Sequence, residues 1–295
     1  MKATVLYTSG CQLGESPLWH AGRKSCFWVD IEGRSFYEGN WEQGNICRWQ
    51  MDSRVSLLIE GERNQLILGI QGGVVYFNLQ SGRINWVTKL DTNWAGYRCN
   101  DGGSDAKGRI WVSTIDLAHR EGKGSLYLVY PDGGFEKKLS GLSIPNGMVW
   151  SPDNKRLYFV DSITREVYSY LYEHKNSDLT LEKAVIRIPP DKGLPDGMAM
   201  DSEGMLWVAL WGGFGVGRFN PATGEMLSFV EVPAPQVSSC AFVGEHLNLL
   251  MITTARTGLD ASTLQQYPNS GHVFIVNPGV TGAPVFSCRM EPATI

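Results

Sequence analysis

Long apolar runs are missing from this 295-residue chain. Nothing approaches the roughly 18 consecutive apolar residues of a membrane-spanning helix, so no membrane partner is expected. Basic runs are missing too: with a formal net charge of -4 and a pI near 5.8, no Lys/Arg stretch can track a phosphate backbone, which argues against nucleic acid. Met1 to Tyr7 carries one basic residue with no sustained apolar stretch behind it, unlike a signal peptide. Cys11, Cys26, Cys47, Cys99, Cys240 and Cys288 show no paired short spacing, so neither a metal knuckle nor a disulfide framework is indicated. They read as reduced thiols of a cytoplasmic protein. His20, His119, His174, His246 and His272 are dispersed, which argues against a histidine-centred triad. Helical periodicity is absent, and the Gly-rich run at 212–217 has no helix pattern after it, so it is not a dinucleotide loop.

What the chain does have is a weak internal repeat. Asn100-Asp101-Gly102, Pro145-Asn146-Gly147-Met148 and Pro195-Asp196-Gly197-Met198 recur 46 residues apart (100 to 146) and then 50 (146 to 196). A polar turn and a second apolar run follow each: Ile110-Trp111-Val112, Leu157-Tyr158-Phe159-Val160 and Leu206-Trp207-Val208. The spacing suits four short antiparallel strands per unit, as in a propeller blade. A first unit opens at Glu15-Ser16-Pro17-Leu18-Trp19. A late one opens near Val237-Ser238-Ser239-Cys240 and continues through His246-Leu247-Asn248-Leu249-Leu250. A short, poorly marked second unit, holding Leu66-Ile67-Leu68-Gly69 and Val74-Val75-Tyr76-Phe77, brings the count to six. The expectation is an all-β, six-bladed β-propeller forming one domain over residues 1–295. Its ring closes where the strand near Ala3 to Thr8 pairs with His272 to Val276. The ten tryptophans, Trp28, Trp111, Trp150 and Trp207 among them, fall at strand phases and read as blade packing.

In a propeller, equivalent positions of successive blades lie on one circle around the central channel. Glu15, Asn100, Asn146 and Asp196 share the phase that opens the innermost strand, so their side-chain oxygens converge. Each alone reads as a turn or surface residue; their common phase points to a site. Carboxylates gathered in a dry channel repel one another unless a cation holds them, and the lack of His and Cys favours calcium, magnesium or manganese, with zinc also admissible. One divalent ion is the expected cofactor.

At these residues the chain resembles the regucalcin and gluconolactonase family, which includes luciferin-regenerating enzymes. The resemblance rests on Gly14 to Trp19, Trp28-Val29-Asp30-Ile31, Arg98 to Gly102, Pro145 to Met148, Tyr158 to Ser162, Pro195 to Met198 and Thr253-Thr254-Ala255-Arg256, in the family's order. It implies that Glu15, Asn146 and Asp196 ligate the metal, that Arg98 and Asn100 contact substrate, and that Asp196 is also the general base. The implied reaction is hydrolysis of a sugar lactone to its aldonic acid, with phosphotriester hydrolysis as a side activity. The rival readings are a calcium-binding regulatory propeller without catalysis and an interaction scaffold. No obligate protein partner is expected. Residues 115–121, where some family members place an acidic substrate contact, do not align with the family residue by residue. Trp211-Gly212-Gly213 reads equally as channel mouth or strand-end turn.

Overall fold

The computed structural model describes residues 1–61, 64–90 and 94–288. Among the described residues, segments of four to ten residues, many of them separated by turns carrying Gly, Asp or Asn, form 24 strands. They pair antiparallel into six four-stranded sheets, giving the expected all-β six-bladed propeller. Five blades are built from consecutive strands, over residues 14–50, 55–89, 97–142, 145–187 and 194–231. The second blade has its full four strands. Its faint signal comes from an innermost strand, Val55–Glu60, that lacks the Asn-Gly or Asp-Gly opening of the third, fourth and fifth blades.

The sixth blade combines the two ends of the described chain. Strands Val237–Val243, Leu249–Thr254 and Val273–Val276 are completed on the outside by Thr4–Tyr7, with Val5 opposite Phe274 and Tyr7 opposite Val273. His246 and Leu247 precede the second strand of this blade rather than lying in it; the turn there carries Leu247 in the left-handed region. Among the described residues the one α-helix, Ala261–Gln266, sits between Leu249–Thr254 and Val273–Val276. Six residues are too few for a helical period to be legible, but the Asp260 side chain caps it by accepting from the Thr263 N–H at 2.7 Å. No described helix is long and apolar enough to cross a membrane.

Packing lies between blades. Each of six buried apolar clusters draws residues from two neighbouring blades, and Trp28, Trp111 and Trp207 are fully buried in them. The junction of blades six and one is the seam of the ring. There Tyr7 stacks on Trp28 (5.1 Å, 14°), which stacks on Tyr37 (5.2 Å, 5°). Gly39 leaves room for the Tyr7 ring, since a Cβ there would come within 2.4 Å of it.

Tyr7→Ala is therefore expected to cost about 3–5 kcal/mol, the usual toll of truncating a buried aromatic, and to loosen the seam specifically. Denaturant unfolding followed by tryptophan fluorescence measures it; a loss below about 1 kcal/mol would show that the stack does not hold the ring closed.

Candidate active site in the central channel

The innermost strands all break register at the same place. Pairing with the neighbouring strand shifts between Glu15 and Leu18, Val55 and Leu57, Cys99 and Gly102, Asn146 and Met148, Pro195 and Met198, and Val237 and Ser239. A β-bulge re-aims side chains and raises local twist. Repeated around the ring, it presents Glu15, Ser56, Asn100, Asn146, Asp196 and Ser238 at one level of the channel. Four of these carry the phase read from the sequence. Ser56 and Ser238 complete the circle but turn to the main chain, donating to the carbonyls of Gly69 (3.3 Å) and Gly14 (2.5 Å).

Hydrogen bonds link one side of this level into a chain. Arg98 Nη1 donates to Asn100 Oδ1 at 2.5 Å and to the Cys99 carbonyl at 3.0 Å. Asn100 Nδ2 donates to Asn146 Oδ1 and to the Pro145 carbonyl, both at 2.7 Å, and Asn146 Nδ2 donates to Ser162 Oγ at 2.8 Å. The last bond directs Asn146 Oδ1 toward the Asn100 side while leaving it a second lone pair. Opposite, Glu15 Oε2 accepts from the Ser16 N–H at 3.1 Å. Asp196 is buried, and its Oδ1 has no hydrogen-bond partner. Gly147 allows the blade-four strand to run against blade five: a Cβ there would meet the Asp196 carbonyl at 2.7 Å.

Three acids meet here, not two. Asp101, one residue beyond Asn100, accepts from the Gly102 N–H at 2.7 Å and adds its charge to those of Glu15 and Asp196. Burial pushes Glu15 up to about 8, with repulsion from Asp101 next in weight. Asp196 is raised well above the carboxylate range by burial and then by Glu15 and Asp101. Burial alone lifts Asp101 to about 6. The buried cation beside them, Arg98, is pulled down to about 10 by burial and stays protonated at neutral pH. Ionised together, three carboxylates and one guanidinium leave two negative charges uncompensated, which matches one divalent ion. Among the described residues no three His, Cys, Asp or Glu side chains cluster as a metal site by themselves. A donor set of Glu15, Asp196 and the amide oxygen of Asn146 differs from such a cluster by that amide. The partnerless Asp196 Oδ1 and the charge excess show that these residues fit a divalent ion.

Other family-like motif residues hold the site from behind. Asp30 accepts the N–H groups of Gln12, Leu13 and Gly33, each at 3.0 Å, and Asp161 accepts those of Ser143 (2.9 Å) and Ile144 (2.8 Å). Both fasten the segment that leads into an innermost strand. The part played by Asp101 was not read from the sequence, although it stands inside a quoted motif; three other blades put Ser16, Gly147 or Gly197 at its phase, so no repeat marks it. In the 115–121 segment Asp116 accepts from the Arg120 guanidinium at 2.8 and 2.9 Å and from its main-chain N–H at 3.0 Å, opposite Tyr97 and next to the Arg98 register. Trp211 ends its strand and Gly212 starts a turn.

Residues 13–256 match the family model described as SMP-30/Gluconolactonase/LRE-like region. The chain is 30% identical to regucalcin of Oryctolagus cuniculus, over 97% of its own length and 98% of the relative's. It is also 30% identical to YvrE of Bacillus subtilis (strain 168), which bears the name of a sugar lactone lactonase, over 93% of this chain and 94% of that one. A solved structure of a calcium-binding protein, regucalcin from Agrobacterium tumefaciens, superposes with a TM-score of 0.93 at 26% identity, covering 98% of both chains.

Because Glu15 and Asp101 hold protons more tightly in the folded chain than in the unfolded one, rising pH strips protons that only the folded state keeps, and stability falls. With divalent ions removed by chelator, the Tm is expected to drop as pH rises from about 5, just above ordinary carboxyl values, to about 8, the value for Glu15. His20 and His272, lowered by burial, act in the opposite sense below their ordinary values. Scanning calorimetry of Glu15→Gln beside the parent separates the two. An equally steep drop in the variant would mean that Glu15 does not carry the effect.

Proposed function

The chain belongs to the SMP-30/Gluconolactonase/LRE-like family, and on that premise we propose that it is a divalent-metal-dependent lactonase, opening a sugar lactone to the corresponding aldonic acid. The observation that carries this reading is the pair formed by the partnerless Asp196 Oδ1 and the two-charge deficit around it. Glu15, Asn146 and Asp196 would hold the ion. Their all-oxygen set suits calcium, magnesium or manganese, and zinc is compatible with carboxylates as well. When bound, the ion supplies positive charge that polarises the lactone carbonyl and makes nearby water more acidic.

The chain's own groups do the rest. Asn100 keeps the Arg98 guanidinium in place through Nη1, which leaves Nε and Nη2 to bind sugar hydroxyls as a fork. The Asp196 carboxylate takes a proton from the attacking water as oxygen adds to the carbonyl carbon. The C–O bond of the ring then breaks, and Asp196 returns the proton to the leaving ring oxygen, which becomes the product's hydroxyl. The name of YvrE supports a lactone as the substrate class, and the free thiols of Cys11, Cys26, Cys47, Cys99 and Cys240 suit the reducing cytosol in which we place the reaction. The calcium-binding relative favours a second reading, ion binding without turnover.

A panel of aldonolactones assayed with and without chelator separates the two readings: turnover that disappears on chelation and returns with a divalent ion is expected. Ion binding with no hydrolysis of any lactone would leave the regulatory reading. Asp196→Asn probes the base directly, because the amide keeps an oxygen but cannot accept the proton. At saturating ion, kcat is expected to fall at least about 100-fold. Near-parental turnover under those conditions would move the base elsewhere in the channel.

A further inference from the structure

The two ends of the channel differ. One is covered by a strap of the chain from Gly282 to Cys288. There the N–H groups of Gly282, Ala283 and Cys288 donate to the carbonyls of Leu247 (2.8 Å), Met200 (2.9 Å) and Glu60 (2.8 Å). A substrate for the acidic level comes from the other end, the mouth, where the innermost strands begin. Two positions before the acidic level the six blades carry Leu13, Arg54, Arg98, Ile144, Leu194 and Gln236. Four of these are uncharged. Arg54 in blade two repeats the position of Arg98 in blade three, so two cationic residues stand on neighbouring blades, one step above Ser56 and Asn100.

Arg54, unlike Arg98, is tied to a carboxylate. Its Nε donates to both oxygens of Glu32 at 3.1 Å, and its Nη2 lies 3.0 Å from Oε2. Glu32 belongs to the turn after Ser25–Asp30, whose last residue pairs with Gly14, so the ion pair bridges blades one and two at the mouth end. Both partners are held from behind. Asp30 accepts the Gly33 N–H at 3.0 Å; Gln71 lies 3.5 Å from Arg54 Nη1 and donates to the Trp94 carbonyl at 2.7 Å. Among the carboxylates that sustain the Arg98 charge, Glu32 outweighs Glu15, which places the pair beside Arg98 rather than out on the blades' rim. Their side chains stay 24% (Arg54) and 34% (Glu32) exposed, so a ligand can touch both.

Among the described residues, these bonds leave a lone pair on Glu32 Oε1 and N–H groups on Arg54 Nη1 and Nη2 unused. An acceptor beside donors suits a hydroxyl, which both accepts and donates. The opposite charges cancel, so the pair offers a charged group no net attraction. We propose that Glu32 and Arg54 are a specificity element that binds the hydroxylated chain carried by the lactone ring, Glu32 accepting from a chain hydroxyl and Arg54 donating to one. A carboxylate in that place meets Glu32 as a like charge and is turned away. The inference rests on the lactonase reading and narrows it: the substrate is a neutral lactone whose chain ends in a hydroxymethyl group.

D-Glucono-1,4-lactone and D-glucaro-1,4-lactone test this, because they differ only in a terminal hydroxymethyl group against a terminal carboxylate. The full chain, loaded with the divalent ion it binds tightest, is expected to show a kcat/KM at least about fivefold higher for the glucono compound, the effect of one unit charge at about 4 Å even in bulk water. Glu32→Gln leaves Arg54 uncompensated and should shrink or invert that ratio, chiefly through KM. Arg54→Gln leaves Glu32 uncompensated and should widen it, while Arg54→Lys keeps the charge and should keep the preference. Calorimetric titration with gluconate and glucarate gives the same comparison without turnover and should shift the same way. A pair that merely braced the blades would change both compounds alike in both variants; that result, or a parent preferring the glucaro compound, would overturn the inference and leave lactone hydrolysis standing. Hydrolysis of neither lactone, with gluconate still preferred and the preference lost in Glu32→Gln, would instead remove the lactonase reading and keep the specificity element. Neither turnover nor binding would overturn both.

Discussion

Glu15, Asp101 and Asp196 share the buried centre of the ring with a single guanidinium, and the fold gives them no way to separate. Each sits on the innermost strand of its own blade, and six interblade clusters fix the blades' mutual position. Removing one acid from its neighbours would mean repacking a whole blade against the next. The carboxyls respond instead by holding protons to unusually high pH, about 8 at Glu15. On the proposed reading, ion binding and proton binding would be alternative solutions to one electrostatic problem.

A register break made that confinement possible. A regular strand alternates its side chains between two faces, so it cannot turn consecutive residues toward one axis. The bulge that opens every innermost strand relaxes this alternation at a single level, where Asn100 and Asp101 both reach the channel region. Small residues then become necessary where strands converge, as at Gly147, and polar ones become possible where they do not. Asp30 and Asp161 belong to the same construction. By accepting the main-chain N–H groups just ahead of two innermost strands, they set where each strand starts and hence which residue falls on the bulge.

Those rules decide what could be read without coordinates. The propeller was legible because its strand and turn periods repeat, and Glu15, Asn100, Asn146 and Asp196 because they recur at one phase of it. The structure brings them, with Arg98, to one end of one channel; which of them ligate is a matter of the proposal above. Three features escaped for a common reason, that nothing repeats them. Ser56 and Ser238 occupy the same phase without an Asn-Gly or Asp-Gly marker. Asp101 carries a charge where the neighbouring blades carry Ser or Gly. The strap over residues 282–288 has no strand period at all, because its contacts are single main-chain bonds to carbonyls whose positions depend on three different blades.

The strap also explains why the channel has two chemistries. Innermost strands begin at one end of the ring, where connecting loops can vary around a polar mouth, and finish at the other, where they deliver Trp19, Trp150, Met200 and Phe242 into a shared space. An open lower end would admit water to the underside of Asp101 and raise the local dielectric around Glu15 and Asp196. High dielectric weakens both the repulsion among the acids and the attraction of any cation for them. A covered, apolar lower half keeps those interactions strong by excluding solvent from below. The apolar end therefore strengthens the electrostatics of the acidic end without touching its carboxyls' partners, and the packing of a channel floor sets how strongly the charges of its ceiling interact.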